Sequence, residues 1–340
     1  MGIKRDITRA IIDTTVDRGL REVDEDPRRG IRKLTDLGRQ FTQGRFMHEI
    51  YQMFQDLLRN DESPYYTAIE HVLHHTNRKA LKDFGINMGY SSLTVGARRI
   101  RNIKKKQGFN VPWAILVSID PKSSDSINAD ELSFMISSAK ELGVYSYMIY
   151  ITRSMNFVSE LIDVFKANKD CAFFLVLPDE ELDDQTAEAL AGRTNVFSLL
   201  TASGDQSDTN AFTLRRLKAW YGVLDFYNEN STDIPLSEER TRNCMSMESS
   251  FVLLCAEKGT SIEKIIENTN RIKEMRLEPE AALFVFDLYG DAVGINRLAS
   301  GEDVLFEIDP DRTINTNIGT FGKYEKGTDL KEVFSKIFAG

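Results

Sequence analysis

The chain has 340 residues, 41% hydrophobic and 28% charged, with a net charge of −9, which is the composition of a globular protein large enough to bury a sizeable core. Its longest apolar runs, residues 171–177 and 281–286, are strand-length and too short for a helical membrane span. The opening MGIKRDITRAIIDTT has no apolar signal-peptide core, so a cytoplasmic location is expected.

Charge divides the chain unevenly. Residues 1–110 hold 21 Lys+Arg against 14 Asp+Glu, whereas the remaining 230 hold 22 against 38. A boundary near residue 110 is expected, and the acidic portion makes a poor nucleic-acid surface because phosphate affinity needs clustered cations. The basic run from Arg98 to Lys106 reads as a solvated face or connector.

The first 110 residues read as helices. Ile3, Ile7 and Ile11 mark one apolar stripe, and Ile31, Leu34 and Leu37 begin a second. Phe46, Ile50, Met53, Phe54 and Leu57 mark a third. Ser63-Pro64 signals a new helix, with Ser63 as N-cap and Pro64 in the first turn. That helix carries His71, His74 and His75 beside Glu70. Their i, i+3, i+4 spacing makes a metal site conceivable, but without a second His/Cys cluster surface or interhelix histidines are the expectation, and no metal is expected.

From Val111 onward strand and helix patterns alternate, with strand-like runs at 111–119, 144–151, 171–177, 194–200, 249–256 and 281–287. Asn128 with Glu131 makes a helix start resembling a capping box, Leu132, Met135, Ile136, Ala139 and Leu142 line one helical face, and Gly143 supplies the stop. Val158, Leu161, Ile162 and Phe165 give the next helix its face, as Ile262, Ile265, Ile266 and Ile272 do for a later one. Alternation of this kind predicts a parallel sheet with right-handed crossovers, and six units suit an open (βα)6 barrel or a doubly wound sheet. No G-x-G-x-x-G or Walker-type loop follows the first strand.

Residues 79–185 carry a more specific pattern. It comprises Asn87-Met88-Gly89 ahead of the basic connector, Asn110-Val111-Pro112-Trp113-Ala114-Ile115-Leu116 entering the first strand, and Ile119-Asp120-Pro121 leaving it. Leu132, Lys140-Glu141-Leu142-Gly143, Tyr145-Ser146-Tyr147-Met148 and Asp170-Cys171-Ala172-Phe173 continue it. This stretch resembles bacterial radical S-adenosylmethionine (radical SAM) enzymes with a helical N-terminal region. Asp303 to Phe334 resembles the family's closing hairpin and helix. The resemblance implies an α/β fold, an open (βα)6 partial barrel at 111–295 between a helical region at 1–110 and a hairpin-helix extension at 296–340. It also implies a 4Fe–4S cluster on C-x-x-x-C-x-x-C after strand one and a Gly-Gly-Glu-Pro motif after strand two gripping the cofactor's amino group.

The departures fall on those positions. Asp120 is followed by Lys122, Ser123 and Ser124 where the cysteine loop belongs, and Ile151, Thr152, Arg153 and Ser154 replace Gly-Gly-Glu-Pro. A cation at Arg153 repels the ammonium that a carboxylate there would hold. Pro178-Asp179 replaces the usual Asn-Gly turn, and no cysteine follows Cys255. A cluster needs three or four thiolates converging, so no radical SAM reaction and no cofactor is expected. Cys171 and Cys255 read as small buried hydrophobes on strands three and five, with Cys244 in the connection around 229–247.

The mouth of such a barrel gathers residues at the strand C-terminal ends. Here that candidate set is Asp179, Glu180, Asp205, Glu257 and Asp287, together with Asp120 and Arg153. Two functions suit the pattern. One is a non-catalytic scaffold or regulator binding a protein or peptide, such as an active radical SAM relative or its substrate. The alternative is a repurposed enzyme that uses the mouth carboxylates, with or without a divalent metal.

Overall fold

The computed structural model describes residues 2–40, 52, 55–231 and 238–339, the side chains of 2–7, 24, 37–40 and 238–240 excepted. Phe46, Ile50, Met53 and Phe54, and the side chains of Ile3, Ile7 and Leu37, lie outside the described residues. The helical region comprises α1 (Gly2–Glu25), α2 (Pro27–Gln40), α3 (Pro64–His75), α4 (Arg78–Ile86), a π-helix (Asn87–Gly96) and α5 (Ala97–Gln107). Pro64 opens α3 as its spacing predicts; the Ser63 hydroxyl, however, donates to Leu57 O instead of capping the helix.

Strands and helices then alternate: β1 (Ala114–Ile119), α6 (Ala129–Leu142), β2 (Ser146–Ile151), α7 (Met155–Ala167), β3 (Ala172–Val176), α8 (Asp184–Ala191), β4 (Val196–Thr201) and α9 (Ser207–Arg216). They continue as β5 (Tyr221–Tyr227), α10 (Glu238–Ser246), β6 (Phe251–Ala256), α11 (Ile262–Leu277), β7 (Phe284–Asp287) and α12 (Leu288–Ser300). The chain closes with β8 (Phe306–Ile308), β9 (Thr313–Thr316), β10 (Gly319–Lys323) and α13 (Leu330–Ile337).

The ten strands of the described residues join one sheet in the order β10-β9-β8-β1-β2-β3-β4-β5-β6-β7. β1 to β7 are parallel neighbours, β8 adds parallel to β1, and β9 and β10 form an antiparallel hairpin beyond it. The sheet is not closed, since β7 and β10 are its edges. It is nonetheless wound. The rings of Tyr150 on β2 and Phe226 on β5 stand 6.4 Å apart, whereas three strand spacings on a flat sheet would separate them by about 14 Å.

The strand count differs from the sequence expectation. β5 completes seven consecutive βα units instead of six, so Cys255 lies on the sixth strand, and β8 makes 303–308 part of the main sheet. β5 is masked in the sequence by Gly222, a weak strand residue. Glycine is required there because a Cβ would meet the Phe197 ring at 2.6 Å.

The main core fills the space between sheet and helices, where Leu132, Met135, Ile136, Leu161, Phe165 and Val158 are fully buried. The capping box of Asn128 and Glu131 starts α6, and Gly143, at φ 99°, ends it. α11 departs from its pattern: Ile262 and Ile266 are exposed, and its buried face runs through Asn268 and Ile272. A second, smaller core lies on the inner face of the wound sheet.

The helical region closes the N-terminal end of that inner face. Phe84 of α4 packs edge-on against Phe174 and Trp220, with ring centroids 5.2 and 5.0 Å away. Tyr65 of α3 stacks on Phe284 at 5.0 Å. The buried Asn87 amide donates to the carbonyls of Lys169 (2.9 Å) and Cys171 (2.7 Å), and its Oδ1 accepts from Arg9 (2.6 Å). Asn87 thereby locks the π-helix to the start of β3.

Candidate functional site

The C-terminal ends of β1 and β2 lie side by side, paired in register to Ile119 and Ile151. The turn leaving β1 is tight. Asp120 N donates to Ser126 Oγ (2.9 Å), Ser123 N to Asp120 O (2.9 Å) and Lys122 N to Asp120 Oδ1 (3.1 Å). The other carboxylate oxygen of Asp120 meets the Arg153 guanidinium at 2.8 Å. Arg153 is about half exposed, so the pair contributes about 0.2–1 kcal/mol. Its geometric effect is larger: the residues leaving the first two strands are tied to each other. Arg312, which follows β8, adds a second tie by donating to Ser126 O (3.2 Å) and Glu131 Oε2 (2.8 Å).

Glu180, beyond β3, reaches back to the next helix along. Its two carboxylate oxygens accept from the Ser154 and Met155 amides, both at 2.8 Å, at the N-terminus of α7. Those two amides hold the Glu180 carboxyl below its usual range. Ser154 sits in the left-handed region at φ 74°, so the chain accepts backbone strain where α7 begins. Asp179 does the same in the opposite direction, accepting from the Asp205 and Gln206 amides at 2.9 Å each. Gly204 leaves room for it, since a Cβ would stand 2.6 Å from Asp179 Oδ1.

The remaining mouth residues lie apart. Glu257 accepts from the Asn228 side-chain amide (3.0 Å), and the Asp205 side chain is exposed. Asp287 is 1% exposed and caps α12 by accepting from Gly290 N (3.1 Å) and the Thr269 hydroxyl. Burial raises its pKa, with Asp291 adding to the effect. Like Val285, Asp287 points toward the helices, whereas Phe284 and Phe286 alternate to the inner side. Of these five carboxylates Glu257 lines the inner cavity, and Asp179, Glu180, Asp205 and Asp287 do not.

That cavity, about 260 Å³, opens where β1, β2, β5, β6 and β8 converge. Its polar lining is Ser118, Tyr150, Cys255, Glu257, Lys258 and Glu307, set among Leu116, Met148 and Phe226. Burial, reinforced by Asp309, pushes the Glu307 carboxyl upward. Burial, then the charge of Glu307, pushes the Cys255 thiol up to about 12. A thiol whose pKa is raised in this way is a poor metal ligand and nucleophile. Glu307 and Lys258 carry no motif in the sequence, and inward alternation on β8 is a signal only once β8 is placed beside β1.

The three cysteines sit on different elements: Cys171 just before β3, Cys244 in α10 and Cys255 in β6. Among the described residues, the His, Cys, Asp and Glu ligand atoms that converge in a group of three belong to His71, His75 and Glu248, at the opposite end of the sheet. No helix of the described residues is long and apolar enough to cross a membrane.

No family model matches the sequence. No curated protein matches it either. Among solved structures the chain is similar to SuiB of Streptococcus suis, with a TM-score of 0.51 at 13% identity over 72% of this chain and 70% of that one. SuiB bound to S-adenosylmethionine gives 0.49 at 13% identity, covering 70% and 66%. SuiB bound to precursor peptide SuiA gives 0.46 at 11%, covering 70% and 67%. The class is therefore a mixed α/β fold built on a wound, open parallel sheet. Its particular likeness is the fold of SuiB.

Proposed function

We propose that this chain is a non-catalytic, radical-SAM-like protein whose work is to bind a protein or peptide as a scaffold or regulator. One observation carries the reading: the groups at the strand ends where the resemblance puts cluster and cofactor are spent on each other. Asp120 holds Arg153 at 2.8 Å, and Glu180 fills the α7 N-terminus that follows the Ile151-Thr152-Arg153-Ser154 segment. A helix N-terminus that already holds an internal carboxylate on two of its amides is a poorer seat for a ligand carboxylate.

The two sheet edges differ as partner surfaces. At β7, Arg276 donates to Val285 O (2.7 Å) and the Asp287 amide donates to Asp291 Oδ2 (2.8 Å), so side chains occupy the place of a next strand. At β10 both faces are largely exposed, and Ile318 at the hairpin turn is 65% exposed. Strand addition at β10 is the mode of partner binding the geometry favours.

The test combines iron loading with partner binding. Anaerobic reconstitution with iron and sulfide should leave the protein colourless, and the partner recovered with native protein should be lost from Ile318→Asp with the melting temperature unchanged. A brown protein with stoichiometric iron, lost on Cys244→Ala or Cys255→Ala, contradicts the reading.

A further inference from the structure

The strongest unexplained chemistry lies at the N-terminal end of the sheet, away from the mouth. His71 and His75 are one helical turn apart on α3, so their imidazoles project from one face, with ring centroids 4.2 Å apart. Glu248 faces them from the connection between α10 and β6, about 180 residues later in the chain. One ligand atom from each of the three lies within 4.8 Å of the others. His74, on the adjoining face, is exposed and outside the group.

Three features of this cluster point to a ligand. Both ring nitrogens of His75 are buried with no hydrogen-bond partner, and a buried polar group left unsatisfied is destabilising. His71 Nδ1 is hydrogen-bonded to the buried Ser250 hydroxyl at 3.0 Å, which leaves Nε2 for another partner. Glu248 adopts φ 50°, a left-handed conformation that a residue with a Cβ rarely takes. That conformation aims its carboxylate at the histidines, while Arg215 pins one oxygen at 2.7 Å and leaves the other free. A metal-bound histidine normally donates its second ring N–H to an oxygen, and metal-bound carboxylates are themselves held by a donor. Ser250 and Arg215 stand in those two places.

We propose that His71, His75 and Glu248 bind a divalent transition ion, zinc by its ligand chemistry, which fastens helix α3 of the N-terminal region to the approach of β6. Two imidazoles and one carboxylate select zinc over magnesium or calcium, which prefer all-oxygen shells. Ligands at 2.0–2.1 Å from a tetrahedral ion lie about 3.3 Å from one another. The triad therefore closes inward by side-chain rotation on binding, with water or a partner residue in the fourth position. This site uses none of the mouth residues, and it stands or falls independently of the scaffold reading.

The test uses the full-length chain freed of metal by a chelator. Zinc titration should show one saturable equivalent and raise the melting temperature, with magnesium producing neither effect. X-ray absorption of the zinc-loaded protein should show nitrogen and oxygen neighbours at about 2.0–2.1 Å and no sulfur at about 2.3 Å. His71→Gln/His75→Gln should lose the equivalent and the melting shift, and His74→Ala should keep both. Glu248→Gln should weaken binding at least tenfold. Absence of a saturable equivalent in the wild-type chain overturns the proposal, as does a sulfur shell. Full zinc stoichiometry retained by the double variant overturns it as well. Should the double variant fail to fold, the wild-type absorption shell and His74→Ala decide the matter on their own.

Discussion

The two ends of the wound sheet solve opposite problems. At the C-terminal end, charged side chains meet backbone amides or each other: Glu180 on Ser154 and Met155, Asp179 on Asp205 and Gln206, Asp120 on Arg153. At the N-terminal end an aromatic plug centres on Phe84, and at the same end two imidazoles lie close together, with both ring nitrogens of His75 lacking a hydrogen-bond partner. Polar groups satisfied within the chain leave little for a ligand to gain, whereas buried groups left without partners gain a great deal. At the end that resemblance marks for chemistry, Asp120, Arg153, Asp179 and Glu180 are spent within the chain.

The largest expected effect lies at the plug. Phe84→Ala removes a ring in contact with Phe174, Phe197 and Trp220, and should cost about 3–5 kcal/mol in urea denaturation. A loss below about 1 kcal/mol would mean that the helical region does not seal the sheet, and the contrast between the ends would go with it.

A smaller effect is expected at the mouth. Glu180→Ala leaves two amides of α7 without their acceptor and should cost about 1–2 kcal/mol, the size of a lost N-cap. Its pH dependence has a definite sign. The folded pKa of Glu180 is lowered, so its stabilisation is complete above the ordinary carboxylate value and lost as pH falls through the folded one. The pKa values of Asp287 and Glu307 are raised, so their contribution is complete below the ordinary value and lost as pH rises through the folded ones. Urea midpoints between pH 3 and 5 should therefore fall less steeply with acid in Glu180→Ala than in the wild-type chain. An unchanged acid limb would show that this carboxylate does not cap α7.

Local signals were legible in the sequence and long-range ones were not. The Asn128–Glu131 box, Gly143 and the faces of α6 and α7 act within one or two turns, so spacing reveals them. β5 was hidden because Gly222 answers to Phe197, a residue on the neighbouring strand. The isoleucines of α11 suggest an inward stripe, yet Ile262 and Ile266 are exposed because that helix packs through Asn268 and Ile272. At the mouth the carboxylates could be placed at strand ends, but the partners of Glu180 lie 25 and 26 residues away and only folding joins them. The histidine pair was visible at i, i+4, whereas Glu248 and Ser250 reach it through the sheet.

Calorimetry of S-adenosylmethionine binding to the full-length chain is the most direct test of the central claim. Arg153 is held by Asp120, and the Ser154 and Met155 amides are held by Glu180, so these groups already have partners within the chain. The account predicts no saturable heat with the wild-type chain, and none restored by Arg153→Glu alone, because Glu180 still occupies the helix N-terminus. Saturable binding with a micromolar dissociation constant would contradict it.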